Sequence, residues 1–339
     1  MRRSTKKRTF LFKILLFLNL FFLVLQLLSM GALGGVIQIP LLTLLVPLLC
    51  LVNLGFFVHW ILRLQWPAFV FVGAVLISFQ EWKLLYQFDK QGISTTAGLQ
   101  VLSYNVRSFN RFKWLDESNV SNSIEAFINE SNADVVCFQE FSKEEAPNFK
   151  KYPYQVFKPY VPNGKIGSSI ISKYPLVNAE VIRFEGSLNG GMQSDLLWKQ
   201  DTLRLYNLHF ESFRLDREYS LISSNYSEKI RRKLQAVFTI QTEQVAQFTN
   251  EAASSPYPQV VCTDLNNNAF SKSYNLLGKS LVDSFTEAGQ GLGATYYFSG
   301  IPLRIDFIFT SKNLRAVDYT THGVKLSDHR PISAKIIKG

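Results

Sequence analysis

Apolar positions fall into two regimes along the chain. Between Lys13 and Arg63 no charged residue occurs, and apolar side chains dominate without the one-sided spacing of a surface helix. A bilayer core takes about 20 apolar residues per helix, so the stretch holds two spans, about 10–30 and 41–62, with Gly31, Gly34, Gly35 and Pro40 supplying the turn. A shorter run, about 64–79, offers a third. Trp60, Trp66 and Trp82 sit near the proposed ends, where indole rings favour the membrane interface. The first run is too long for a secretory signal, and a second follows at once. Residues 1–80 therefore read as an anchor of two or three transmembrane helices, and 81–98, mixed in charge and ending in Gln91-Gly92-Ile93-Ser94-Thr95-Thr96, as a linker.

From Leu99 the pattern changes to short apolar runs separated by loops and helices. Strands are predicted over 99–106, 133–138, 167–172, 203–208, 259–262, 305–310 and 332–337. Helices are predicted over 117–131, where Val120, Ile124 and Phe127 recur at helical spacing, and over 227–251. Strands interleaved with a few helices point to a layered α/β domain filling 99–339. The segments 142–166 and 184–200 read as loops.

Composition changes the picture in two places. The net charge of +10 suggests a nucleic-acid partner until it is divided along the chain: residues 1–80 hold seven basic residues and no acid, leaving 29 basic against 26 acidic in the rest. A domain so close to neutral offers no polyanion-binding stripe. The basic cluster at 2–8 is expected to stay cytoplasmic. Three spans then place the C-terminal domain on the outer face of a multi-pass cell-membrane protein, and two would leave it inside. Three cysteines make no disulfide framework, and Cys137 and Cys262 lie in apolar, β-branched runs that suit buried free thiols.

The chemistry lies where the apolar strands stop. Asn105 sits in Ser103-Tyr104-Asn105-Val106. The run 134–140 ends in Gln139-Glu140, 205–209 ends in Asn207-Leu208-His209, and 260–266 ends in Asp264-Leu265-Asn266. Asp306 is inside a strand, and Ser327-Asp328-His329-Arg330-Pro331 precedes the last one. Such residues are costly to bury unpaired. Glu140, Asn105, Asp264, Asn266, Asp306 and Asp328 offer the oxygen ligands that hard divalent cations take. No Cys/His cluster suggests structural zinc. His209 and His329, two of four histidines, are candidates for proton exchange. Each of these residues taken singly has an ordinary structural reading, as a core amide, a loop acid or a helix cap. Their joint order does not.

That order resembles the endonuclease/exonuclease/phosphatase superfamily, which includes DNase I-like nucleases, neutral sphingomyelinases and inositol polyphosphate 5-phosphatases. The resemblance runs from about Leu99 to Ile337. It rests most on Cys-Phe-Gln-Glu at 137–140, Asp-Leu-Asn at 264–266 and Ser-Asp-His-Arg-Pro at 327–331, with support from Ile-Ser-Lys-Tyr-Pro at 171–175, Asn-Leu-His at 207–209 and Arg-Ile-Asp at 304–306. It implies a four-layer α/β sandwich, two packed mixed β-sheets flanked by helices. It further implies a Mg²⁺ site (Mn²⁺ as the alternative) on Glu140, with Asn105 and Asp328 completing or supporting it. Asp264 would orient or deprotonate the attacking water, Asn266 hold a phosphate oxygen, Asp306 orient His329 at the scissile phosphate, and His209 contact a phosphate oxygen or assist the leaving group. His209 stands where the exonuclease III-like branch tends to carry Tyr. Thr263 stands where the family usually has Gly.

The expected function is therefore metal-dependent hydrolysis of a phosphoester at a membrane, the partners being the lipid bilayer and a substrate that is a lipid head group, a nucleic acid or a small phosphate ester. No feature calls for an obligate protein partner. The competing readings are a nuclease acting on extracellular nucleic acid, a non-catalytic binding module, which should have lost one of Glu140, Asp264, Asp306 or His329, and a transport component, which should carry charges inside its spans.

Overall fold

In the computed structural model the described residues are 2–32, 40–88, 97–213, 224–298 and 300–339. The turn at Gly34 and Gly35 and the linker stretch 91–96 lie outside them. The chain divides into two units, Met1–Leu85 with Phe270–Lys272, and Tyr86–Ala269 with Ser273–Gly339.

The apolar regime is helical: α1 (Arg2–Met30), α2 (Pro40–Thr43), α3 (Val46–Leu62), α4 (Pro67–Ile77) and α5 (Phe79–Leu85). Helices α3 and α4 each start on a proline in the first turn, where the missing N–H costs nothing. The second expected run is thus split in two ahead of Pro47, and α5 takes up residues that read as linker from sequence. Among the described residues one helix, Thr9–Met30, is long and apolar enough to cross a membrane; α4 and α5 qualify only as a pair bent by 78°. The 17-residue α3 is apolar but shorter. Helices α1 and α3 are tied by buried polar side chains: Trp60 Nε1 donates to Asn19 Oδ1 at 2.9 Å, and Asn53 Nδ2 to Gln26 Oε1 at 2.8 Å.

The second unit is built on two six-stranded sheets. The first has the order β13 (Leu314–Thr321), β14 (Ile332–Lys338), β1 (Leu99–Asn105), β2 (Val135–Ser142), β4 (Ile166–Ser172), β3 (Tyr154–Pro159). The second runs β5 (Leu176–Arg183), β6 (Gly190–Trp198), β7 (Asp201–His209), β8 (Gln259–Asp264), β12 (Asp306–Ser311), β9 (Leu281–Asp283). Both are mixed, with β1–β2 and β7–β8 parallel and their other pairs antiparallel. A small hairpin, β10 (Tyr296–Phe298) and β11 (Ile301–Leu303), stands apart. The helices are α6 (Val120–Ser131), the long α7 (Ser224–Ala252), α8 (Lys272–Leu277) and α9 (Ser284–Ala288).

Alternation along the strands makes the layers. On β1 and β2, Leu99, Val101, Val135 and Cys137 face the second sheet and pack with Leu205, Val260, Cys262 and Ile308. Their neighbours Leu102, Tyr104, Val136 and Phe138 face outward onto Ile124 and Ile128 of α6. This is the expected pair of packed mixed sheets with helices outside. The three cysteines are free and buried. Two segments expected to be loops contain strands: β3 lies within 142–166 and β6 within 184–200. Strand β6 begins Gly190-Gly191, which carries no β-propensity. The structure needs glycine there, since a Cβ on Gly191 would stand 2.5 Å from the Asn207 carbonyl oxygen.

Candidate active site

The inner faces of the central strands change from apolar to polar toward one end. Read every second residue, β1 runs Leu99, Val101, Ser103, Asn105 and β2 runs Val135, Cys137, Gln139. Likewise β7 runs Leu203, Leu205, Asn207, His209 and β8 runs Val260, Cys262, Asp264. Register brings the polar ends together: Asn105 pairs with Gln139, His209 with Asp264, and Asp306 at the start of antiparallel β12 with Asp264. Below this end a buried amide ladder joins the sheets. Gln139 Nε2 donates to Ser103 Oγ at 3.1 Å and to Asn207 Oδ1 at 2.7 Å, and Asn207 Nδ2 donates to the carbonyls of Phe138 and Ser169.

Glu140 breaks the alternation. By parity with Val136 and Phe138 it should face α6. Instead β2 carries an extra residue between Phe138 and Phe141, and Glu140 takes the left-handed conformation, φ 47°. This bulge re-aims the carboxylate into the site, where Oε1 lies 3.2 Å from Asn105 Nδ2. The Glu140 amide donates to the Tyr160 hydroxyl at 3.0 Å, holding the kink.

Asn105 joins two carboxylates, since the same Nδ2 donates to Asp264 Oδ2 at 2.8 Å. Its Oδ1 accepts from the Arg107 amide, so Asn105 supports the carboxylates with its N–H groups and its oxygen is turned away from them. His209 Nε2 lies 3.5 Å from Asp264 and 3.7 Å from Glu140. Neither ring nitrogen of this buried histidine has a hydrogen-bond partner among the described residues. His329 Nδ1 stands 2.9 Å from Asp306 Oδ2, and Nε2 is 3.7 Å from Asp264. The donor atoms of Asp264, Asp306 and His329 lie within 4.8 Å of one another.

Two residues sit toward the margin. Asn266, also left-handed with φ 50°, hydrogen-bonds through its amide to Asp264 Oδ1 and gives a side-chain N–H to the Phe210 carbonyl. Asp328 is salt-bridged to Arg107, and its charge reaches Glu140 and His329. Thr263 continues β8 without distortion, paired with Phe307 and Leu208.

Burial and crowding set the protonation. Desolvation raises Glu140, and nearby Asp328 adds to it, against the opposing pull of Asn105, His329 and Arg107. Asp264 is pushed up to about 6 by burial, with Asp306 adding to it and the two histidines opposing. Burial lowers His209 below its ordinary value. Burial also works against a charged His329, but Asp306, Asp264 and Asp328 together outweigh it and hold the imidazole well above the usual histidine range. The donor set suits a hard divalent cation. Glu140 and Asp264, both raised, share one amide donor with Asp328 in electrostatic range, and carboxylates so clustered are a ready site for positive charge.

Sequence reasoning missed several contributors. Arg107 and Tyr160 lie outside every motif. Gln139 and Asn207 were read only as neighbours of Glu140 and His209, though period-2 parity would have placed them inward. Gln241 of α7 is buried and donates to the carbonyls of Glu211 and Asn266, and Thr295 Oγ1 accepts from the amides of Ile305 and Asp306. Only tertiary contact reveals these two.

With this geometry in place, the class is clear at two levels. The fold, two mixed sheets flanked by helices, recurs in solved structures of low sequence identity. TDP2 of D. rerio, in a structure complexed with single strand DNA product, superposes with TM-score 0.55 at 16% identity, covering 71% of this chain and 100% of that one. The mannosyl-6-phosphatase of Bacteroides thetaiotaomicron gives 0.54 at 16%, over 70% and 99%. An endonuclease/exonuclease/phosphatase protein of Bacteroides vulgatus gives 0.56 at 14%, over 72% and 100%. No curated protein matches by sequence. The sequence profile of the Endonuclease/Exonuclease/phosphatase family matches residues 102–329, and the chain belongs to that family.

Proposed function

We propose that this protein is a membrane-anchored, divalent-metal-dependent hydrolase of phosphoesters, with residues 99–339 as its catalytic domain. The observation that carries the reading is the convergence of Asn105, Glu140, His209, Asp264, Asp306 and His329 on one end of two facing sheets. Family membership supports phosphoester chemistry.

Phosphoester hydrolysis builds charge on the non-bridging oxygens and on the leaving oxygen, and needs a water held in line. Glu140 would hold Mg²⁺ or Mn²⁺, with Asn105 orienting the carboxylate and Asp328 adding charge. When bound, the ion supplies Lewis-acid stabilisation of phosphoryl oxygens. Asp264, pushed up to about 6 by burial, orients the water and accepts its proton. Asp306 fixes His329 through Nδ1, leaving the charged ring to donate Nε2–H to a phosphoryl oxygen. Asn266 offers the second N–H of its side-chain amide to another oxygen. His209, kept neutral by burial, contacts the phosphate or the leaving group.

The near-neutral catalytic domain favours a small phosphate ester or a lipid head group over a long polyanion. Solved neighbours on this fold include both a DNA-product complex and a sugar phosphatase, so fold alone does not choose. The N-terminal helices anchor the chain as a multi-pass unit, and three crossings would put the domain on the outer face. The test is turnover by the full chain in detergent on DNA, sphingomyelin, an inositol phosphate and a simple phosphodiester, with Mg²⁺ and with EDTA. Metal-dependent cleavage that falls by about 10²–10⁴ in His329→Ala is expected. No turnover on any of them, or a variant equal to wild type, sinks the reading.

A further inference from the structure

The backbone leaves β1 through an unusual turn. Arg107, Ser108, Phe109 and Asn110 are all left-handed, with φ 41°, 54°, 53° and 63°, and none is glycine. Side chains force β-carbon crowding on such a run, so it persists only where its surroundings over-determine it. Here they do. Phe109 is buried against Phe141, ring centroids 5.2 Å apart and edge-on. The Asn110 side chain bonds both the amide and the carbonyl of Leu115 at 2.9 Å. The Arg107 amide is held by Asn105 Oδ1 at 3.0 Å.

The result is a guanidinium built into place. It lies 3.9 Å over the Trp114 ring, is salt-bridged through Nη1 to Asp328, and its charge reaches Glu140. Its side chain is 24% exposed. One of its five donors is spent on Asp328. The proposed mechanism makes no use of this group, and strain concentrated beside a site points to work done there.

We propose that Arg107, held on Trp114, binds two terminal oxygens of the substrate phosphate and so selects a dianionic phosphomonoester over a phosphodiester. The inference rests on the hydrolase reading for its site and adds the substrate class. A guanidinium fork takes two oxygens side by side. The site already presents Asn266 and two histidines to phosphoryl oxygens. A monoester has three terminal oxygens and meets both demands; a diester has two and leaves donors unpaired. Arginine stays charged at every working pH, so the preference needs no titration.

Calorimetry on the metal-loaded full chain in detergent tests this without requiring turnover. Inorganic phosphate, dianionic above neutrality, is compared with dimethyl phosphate at pH 8. Wild type should bind phosphate about 10- to 100-fold more tightly, the range a charge-assisted hydrogen-bond pair provides. Arg107→Ala should lose that preference, and Arg107→Lys, which keeps the charge but not the fork, should retain part of it. Trp114→Leu, which leaves the arginine unsupported, should weaken phosphate binding with less effect on dimethyl phosphate. Equal affinity of wild type for the two ligands, no saturable phosphate binding, or a preference that survives Arg107→Ala overturns the proposal. Selective, Arg107-dependent binding with no hydrolysis of any ester would instead uphold this assignment and sink the hydrolase reading.

Discussion

His209 and His329 share one buried carboxylate neighbour, Asp264, yet their surroundings push them in opposite directions. His209 has no hydrogen-bonded acid among the described residues, so desolvation wins and lowers it. His329 loses as much water, but Asp306 sits on its Nδ1 and three carboxylates outweigh burial. In a histidine NMR titration of the metal-free protein, His329 should titrate above 6.5, and His209 and His322 below it. Asp306→Asn should lower the His329 midpoint by about one to three pH units, the usual effect of one adjacent opposite charge. A midpoint that stays put would remove Asp306 from its orienting role. Individual residue types at this site were legible in sequence because strand ends bearing Asn, Glu, His and Asp are expensive unless paired. Arg107 was not, because an arginine after a strand is ordinary until its turn is seen to be left-handed.

Among elements, β2 shows how one irregularity makes a site. Its pattern predicts a regular buried strand, and parity would send Glu140 toward α6. The bulge at 139–140 reverses that. Regular strands on the inner faces, β1, β7, β8 and β12, were readable from apolar runs. The edge strands β3 and β5 and the glycine-led β6 were not, because exposure and glycine weaken alternation. Helix α7, read as 227–251, spans Ser224–Ala252, and its buried positions Leu234, Val237, Phe238, Val245 and Phe248 show the apolar stripe that marks it. The amide ladder gives the element-scale prediction. Asn207→Leu removes two donors to buried carbonyls and the acceptor for Gln139, and should lower stability by about 2–4 kcal/mol. Thermal unfolding checks it; Asn178→Ala, at an exposed position of edge strand β5 with its side chain bonded to Asp195, should shift the midpoint far less. Equal shifts would mean the ladder contributes nothing special.

For the whole molecule, the two units carry separate expectations. The convergence of Glu140, Asp264 and Asp306 on one site predicts that EDTA abolishes activity and that added Mg²⁺ or Mn²⁺ restores it; activity indifferent to EDTA would remove the metal. Among the described residues helix α1 is the one that by itself is long and apolar enough to cross a membrane, and the Trp60–Asn19 and Asn53–Gln26 bonds tie α3 to it, the kind of polar contact that holds helices together in a bilayer. The chain should therefore remain in the membrane fraction after alkaline carbonate washing. A periplasm- or exterior-dependent reporter fused after Gly339 should be active if three crossings are made, and activity confined to a cytoplasmic reporter would leave two.

What the amino-acid sequence determined by itself was the partition into an apolar helical segment and a layered α/β domain, and the ordered set of polar residues at strand ends. Both are local: hydropathy and period-2 alternation act over a few residues, and an unpaired acid or amide is conspicuous wherever it stands. The tertiary structure alone decided that these ends meet. Register across β7, β8 and β12 stacks His209, Asp264 and Asp306, and a left-handed residue turns Glu140 inward. A second left-handed run sets Arg107 on Trp114 beside Asp328. Such conformations are held by contacts remote in sequence, Phe141 on Phe109 and Tyr160 on Glu140, and no stretch of sequence near the strained residue announces them.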